Sequence, residues 1–129
     1  MGGENLGEPI IDYEKMGHSI RAYMVGKEVE VVKGGTTIAR TKDAILLHET
    51  GHNPVYYFPL KDVRKGCLEA TGTRTTCPYK GVANYYNIRV GEVISIDSVW
   101  QYADSKEEFR AIREYVAFYP NTIDQINVG

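Results

Sequence analysis

The chain has 129 residues, of which 43% are apolar and 25% charged, with a net charge of −2 and a pI near 5.9. That length holds one domain able to bury a sizeable core, and the slight acidity excludes a global field drawing it to nucleic acid or an anionic membrane. No apolar run approaches the length of a membrane-spanning segment.

Residues 1–17 carry four glycines and four acids around one apolar foothold, Pro9-Ile10-Ile11. They read as an N-terminal extension to a single domain over 18–129. The stretch lacks the apolar centre of a secretory signal, and Leu6 stands where N-myristoylation requires Ser or Thr. The expected location is the cytoplasm, where Cys67 and Cys77 stay reduced.

Strand signals then follow in quick succession, separated by glycine turns. "IRAYMV" precedes Gly26-Lys27, "EVEVV" precedes Lys33-Gly34-Gly35, and "TTIAR" comes next. Glu28 and Glu30 alternate with Val29 and Val31, the period of a half-buried strand. "AILLHE", "VYYF", "NYYNIRV", "EVISI", "SVWQY", "YVAFY" and "TIDQI" continue the series. One segment, "ADSKEEFRAIREY", predicts a short helix near 105–114. Ser105 and Glu108 form a capping box there, Glu107 and Glu108 suit the positive end of the helix dipole, and Phe109 and Ile112 face the core. Many short strands with one late helix make a mostly-β domain.

The stretch "HETGH", His48 to His52, matches the H-E-x-x-H zinc signature letter for letter. That signature works on a helix, where residues four apart share a face. Gly51 inside it and Pro54 just after it deny the helix. On a continued strand the two histidines would stand roughly 13 Å apart, too far to share an ion. A third ligand is also missing, since His18 is the only other histidine and lies near the N-terminal extension. The reading is no metal and no cofactor, with Glu49 on the same strand face as Ile45 and Leu47 and turned inward.

"TTCPYKGVANYY" combines turn chemistry with reactive groups: Cys77, Tyr79 and Lys80 stand between Pro78 and Gly81. They either project at the mouth of a site or form a packed thiol, a packed ring and a solvated amine. In "NPVYYFPLKDV", alternation puts Tyr57 on the opposite face from Tyr56 and Phe58. Trp100 and Tyr102 share a face in "SVWQY". In "YVAFYP", Val116 and Phe118 take one side, Tyr115 and Tyr119 the other. Ten tyrosines against three phenylalanines and one tryptophan suit either a tyrosine-rich β core or an apolar pocket with a few placed polar groups.

The ordered set "TGHNPVYYFPLKDV", "CPYKGVANYY", "SVWQYADSKEEFRAIREYVAFYP" and "TIDQINV" resembles domain of unknown function family 427, over about Glu28 to Val128. The resemblance implies a β-tent fold: two antiparallel sheets pinned together near one end, with a short helix. Relatives of that fold hold a structural zinc on paired cysteines, and this chain lacks the pairs. The family's recurrent positions carry over to Glu49, Tyr57, Asp62, Cys77, Tyr79, Lys80, Tyr86, Trp100, Tyr102 and Phe118, with no established activity attached.

Three functions fit. The first is a small-molecule-binding module, with Tyr57, Trp100, Tyr102 and Phe118 lining a cleft between the sheets and Lys80 with Glu49 or Asp62 orienting the ligand. The second is an enzyme using Cys77 and Lys80 in that cleft. The third is a scaffold whose exposed edge strand pairs with a partner or with itself as a homo-oligomer.

Overall fold

Alternating sequence cut by glycine turns folds into eleven strands in a computed structural model that describes residues 7–129. The first six residues of the expected extension lie outside the described residues. The strands are β1 (Ile11–Lys15), β2 (His18–Met24), β3 (Val29–Lys33), β4 (Thr36–Thr41), β5 (Ile45–Glu49), β6 (Val55–Pro59), β7 (Leu68–Cys77), β8 (Gly81–Val90), β9 (Val93–Ser105), β10 (Tyr115–Phe118) and β11 (Gln125–Val128). An eight-stranded sheet runs β1-β2-β5-β6-β10-β9-β8-β7, and a three-stranded sheet runs β11-β3-β4. Every pairing is antiparallel. This is the mostly-β, two-sheet architecture the sequence predicts.

Gly34 and Gly35 both take positive φ, 59° and 75°, in the two-residue turn joining Lys33 to Thr36. That turn matches the twist of a tight hairpin, which only glycine-like residues adopt at both centres.

The two faces of the large sheet bury different chemistry. Between the sheets lie Val29, Val31 and Ile38 from the small one and Leu46, Phe58, Ile88, Val99, Val116 and Phe118 from the large one. Phe58 and Phe118 meet edge to face with ring centres 5.6 Å apart. Each such side chain contributes roughly 1.5–3 kcal/mol on burial. On the opposite face a second cluster joins Ile11, Ile20, Leu47, Tyr57, Tyr85 and Tyr102 to Phe109 and Ile112.

Four elements differ from the sequence reading. Residues 11–15, assigned to the extension, form β1, with Ile11 in the second cluster and each residue paired to β2. "LEATGTRTTC", which carries no apolar alternation, is the ten-residue edge strand β7, held by β8 alone. "EVISI" and "SVWQY" are one strand, β9, bent at Asp97, whose φ is 49°. Asp97 is fixed there by the hydroxyls of Thr71 and Thr73, 2.7 and 2.6 Å from its carboxylate.

The predicted helix is a short 3-10 segment, Glu107–Ile112, with non-helical dihedrals at Phe109. Ser105 makes no capping box. It ends β9, and its hydroxyl donates to the Lys106 carbonyl and accepts from Arg113 Nε, each at 2.9 Å. Phe109 and Ile112 are both fully buried, as their spacing predicts.

Candidate functional site

In a flat sheet, strands four places apart lie about 19 Å from each other. β5 and β8 are four places apart, yet Glu49 at the end of β5 forms an ion pair with Lys80, just before β8. The sheet is therefore strongly curled, and side chains cross its concave face without its edges pairing into a barrel. Tyr13 of the first edge strand reaches Tyr79 in the β7–β8 turn, with ring centres 6.3 Å apart.

Backbone geometry at that turn sets the amine. Gly81 has φ 112°, and a Cβ there would sit 3.0 Å from both the Asp104 carbonyl oxygen and the Lys106 nitrogen. Only glycine lets β8 press so closely on the end of β9. The Lys106 N–H donates to the Lys80 carbonyl at 2.9 Å, which pins the residue from the other side.

Both charged side chains are 8% exposed. Glu49 Oε1 accepts from Lys80, and Oε2 lies 2.9 Å from His18 Nε2. Burial opposes the Glu49 charge, but the hydrogen bonds from Lys80 and His18 outweigh it and hold the carboxyl below its ordinary range. An ionised carboxylate only accepts, so His18 Nε2 carries its proton toward Glu49. The His18 ring stacks on Tyr79 at 4.0 Å between centres and 9° between planes. Lys80 Nζ also lies 5.6 Å from the centre of the Tyr102 ring, within cation–π range.

These groups line a concavity of about 690 Å³. Its aromatic walls come from Tyr57, Tyr79, Tyr85, Trp100, Tyr102 and Tyr119, and its rim includes His52, Asn53, Pro54, Pro78 and Pro120. Trp100 Nε1 donates to the Tyr57 hydroxyl at 3.2 Å, the two rings meeting edge to face. Trp100 packs on Tyr119 with centres 4.5 Å apart. Burial, before all else, pushes the phenols of Tyr57 and Tyr102 well above their ordinary value and that of Tyr119 up to about 12. At neutral pH all three keep their protons.

Of the nine side chains predicted for a site, seven meet here: Glu49, Tyr57, Cys77, Tyr79, Lys80, Trp100 and Tyr102. Asp62 does not. It follows β6 in a 3-10 turn and accepts from the Thr41 hydroxyl at 2.7 Å. Phe118 is also elsewhere, buried between the sheets against Phe58. Tyr86, a further family position, points to that same side, its hydroxyl donating to Gln101 Oε1 at 2.5 Å. Sequence reasoning assigned no place in the site to His18, Tyr85 or Tyr119. Alternation did pair Tyr119 with Tyr115 opposite Phe118, the one signal pointing to it.

"HETGH" spans the end of β5 and a turn. His48 is exposed and touches Tyr23 edge to face at 5.9 Å, while Glu49 faces inward. Its two histidines are thus on different structures, and no three His, Cys, Asp or Glu side chains among the described residues converge to hold a metal ion. No helix among the described residues is long and apolar enough to cross a membrane.

A mostly-β domain of two antiparallel sheets, eight- and three-stranded, is the class of protein that the fold defines. Residues 21–129 match the family described as domain of unknown function DUF427, and the chain belongs to that family. No curated protein matches it.

Proposed function

We propose that the domain binds a small molecule in the concavity walled by Tyr57, Trp100 and Tyr102, with Lys80 and Glu49 as its polar anchor. The observation that carries this reading is the ion pair itself. Removing both charges from water costs several kcal/mol per ion, and an apolar pair of similar volume is often as stable or more so. A charged pair retained among aromatic rings, at the base of an open concavity of ligand size, is better explained by what it contacts than by stability.

A thermal-shift screen of the full chain against metabolites tests it. A true ligand raises Tm in proportion to the logarithm of its concentration once above Kd. The Lys80→Met variant should lose that response. A hit that stabilises the variant as strongly as the parent counts against the site.

A second reading, an enzyme using Cys77, is favoured by one contact. Cys77 lines the same concavity, half-buried, and its Sγ accepts from the Lys80 N–H at 3.3 Å. Alkylation of Cys77 in the folded protein at no more than the rate of a buried thiol would remove this reading.

A further inference from the structure

Lys80 and Glu49 are each only partly used. The Lys80 amine has three N–H bonds. One goes to Glu49, and the other two have no hydrogen-bond partner among the described residues, only the Tyr102 ring 5.6 Å away. Each Glu49 oxygen accepts a single hydrogen bond, one from Lys80 and one from His18, so each keeps a lone pair. Both side chains are 8% exposed, and both line the concavity. The concavity is thus where each charge can take a second partner without releasing the first.

The two charges have opposite signs and touch. Apart from the histidines, they are the charged residues lining the concavity. A ligand with one charge gains little from them: an anion drawn to Lys80 also meets the Glu49 carboxylate, and a cation drawn to Glu49 meets the amine. An uncharged ligand needs neither ion, since neutral polar side chains would hold it without the several kcal/mol that burying each charge costs. A ligand that carries both signs side by side gains from both. With its ammonium on Glu49 and its carboxylate on Lys80 the four charges alternate, each beside its opposite. Because Lys80 and Glu49 are in direct contact, the ligand's two charges must be equally close, as they are on groups borne by one carbon.

Resting on the small-molecule reading above, we infer that the ligand is an α-amino acid, a zwitterion that bridges Lys80 and Glu49 with its ammonium and carboxylate. Its side chain lies against the aromatic wall of Tyr57, Trp100 and Tyr119, a surface that suits a flat apolar group.

Four probes share a phenyl ring and differ in charge: phenylalanine, 3-phenylpropionate without the ammonium, 2-phenylethylamine without the carboxylate, and uncharged 3-phenylpropanamide. Each is titrated into the full chain near pH 7, and Kd is taken from the shift of the indole N–H resonance of Trp100, the single tryptophan. Phenylalanine is expected to bind about tenfold or more tightly than any other probe, since each missing charge forfeits a charged hydrogen bond. Glu49→Gln leaves a lone cation in the site, so 3-phenylpropionate should overtake phenylalanine there. Lys80→Met leaves a lone anion, and 2-phenylethylamine should overtake it instead. One reversal is enough where the other variant fails to fold. Any of the three partial probes binding the parent protein as tightly as phenylalanine overturns the inference and leaves the binding site standing. An order of affinities that neither variant changes also overturns it. Failure of all four probes to move the indole resonance overturns both the inference and the proposed function.

Discussion

The two faces of the eight-stranded sheet are built from the same strands and do opposite work. Phe58, Val99, Val116 and Phe118 enter the hydrocarbon core between the sheets. Their immediate neighbours Tyr57, Trp100, Ala117 and Tyr119 turn to the other side, where aromatic rings meet a charged pair and open space. One face spends its apolar area on stability, and the other sets phenols, an indole, a thiol and an ion pair around a concavity. Alternation along a strand is thus the device that separates scaffold from site within single residues of each other.

Substitutions can break that contrast, beginning with the core. Phe58→Ala should cost ~3–5 kcal/mol in urea unfolding, because it opens a cavity between sheets with nothing to collapse into it. Lys80→Ala should cost about 3 kcal/mol, the low end for stranding a buried charge, since the concavity admits water to Glu49. Phe58→Ala should leave the geometry of the site intact in the fraction that remains folded, whereas Lys80→Ala changes the site itself.

The acid limb of stability sharpens the comparison further. The Glu49 carboxyl has a folded-state pKa below its ordinary value of 4.5. Its contribution is complete above that value and is lost as pH falls through the lower folded-state value. Glu49→Gln should flatten the fall in urea midpoint below pH 4.5, read as the difference from the parent protein. A difference that stays constant across that range would show that the pair contributes no pH-dependent stability. Tyr57→Phe comes next, at ~1 kcal/mol, since Trp100 Nε1 loses its acceptor but stays near the open concavity. The indole resonance should move even where the urea midpoint hardly does.

The smallest stability effect separates the two thiols. Cys67 is buried in the hydrocarbon cluster, and burial raises its thiol pKa despite Arg64. Cys77 packs against the other cluster and lines the concavity. Iodoacetamide should label Cys77 in the native protein and Cys67 only as the chain unfolds. Cys77→Ser should change stability by no more than about 0.5 kcal/mol. Equal labelling rates for both thiols would contradict the division of faces.

Much of the fold was legible because alternation and glycine turns are local signals. β3, β5, β6 and β10 and the inward aim of Glu49 came from them directly. β7 was hidden because an edge strand needs little apolar area: most of its residues are exposed, and β8 alone supplies its ladder. The capping box failed because Arg113, eight residues on, claims the Ser105 hydroxyl, a contact no local pattern encodes. The site was legible in its residue types but not in its face. Alternation tells that Phe118 and Tyr119 point apart, and likewise Tyr85 and Tyr86, but not which side holds the concavity. His18 was invisible for a different reason: it reaches Glu49 only because the β2–β5 pairing sets Ile20 opposite Glu49.

The pairing of β1 and β2 along one flank also bears on how the domain should be cut. Shared family sequence begins at residue 21, partway through β2. A protein trimmed to that point would lack all of β1, the Tyr13 ring that rests on Tyr79 and Phe109, and His18 with its hold on Glu49. The family match and the paired strands therefore start at different points, and His18, which lines the concavity, lies between them.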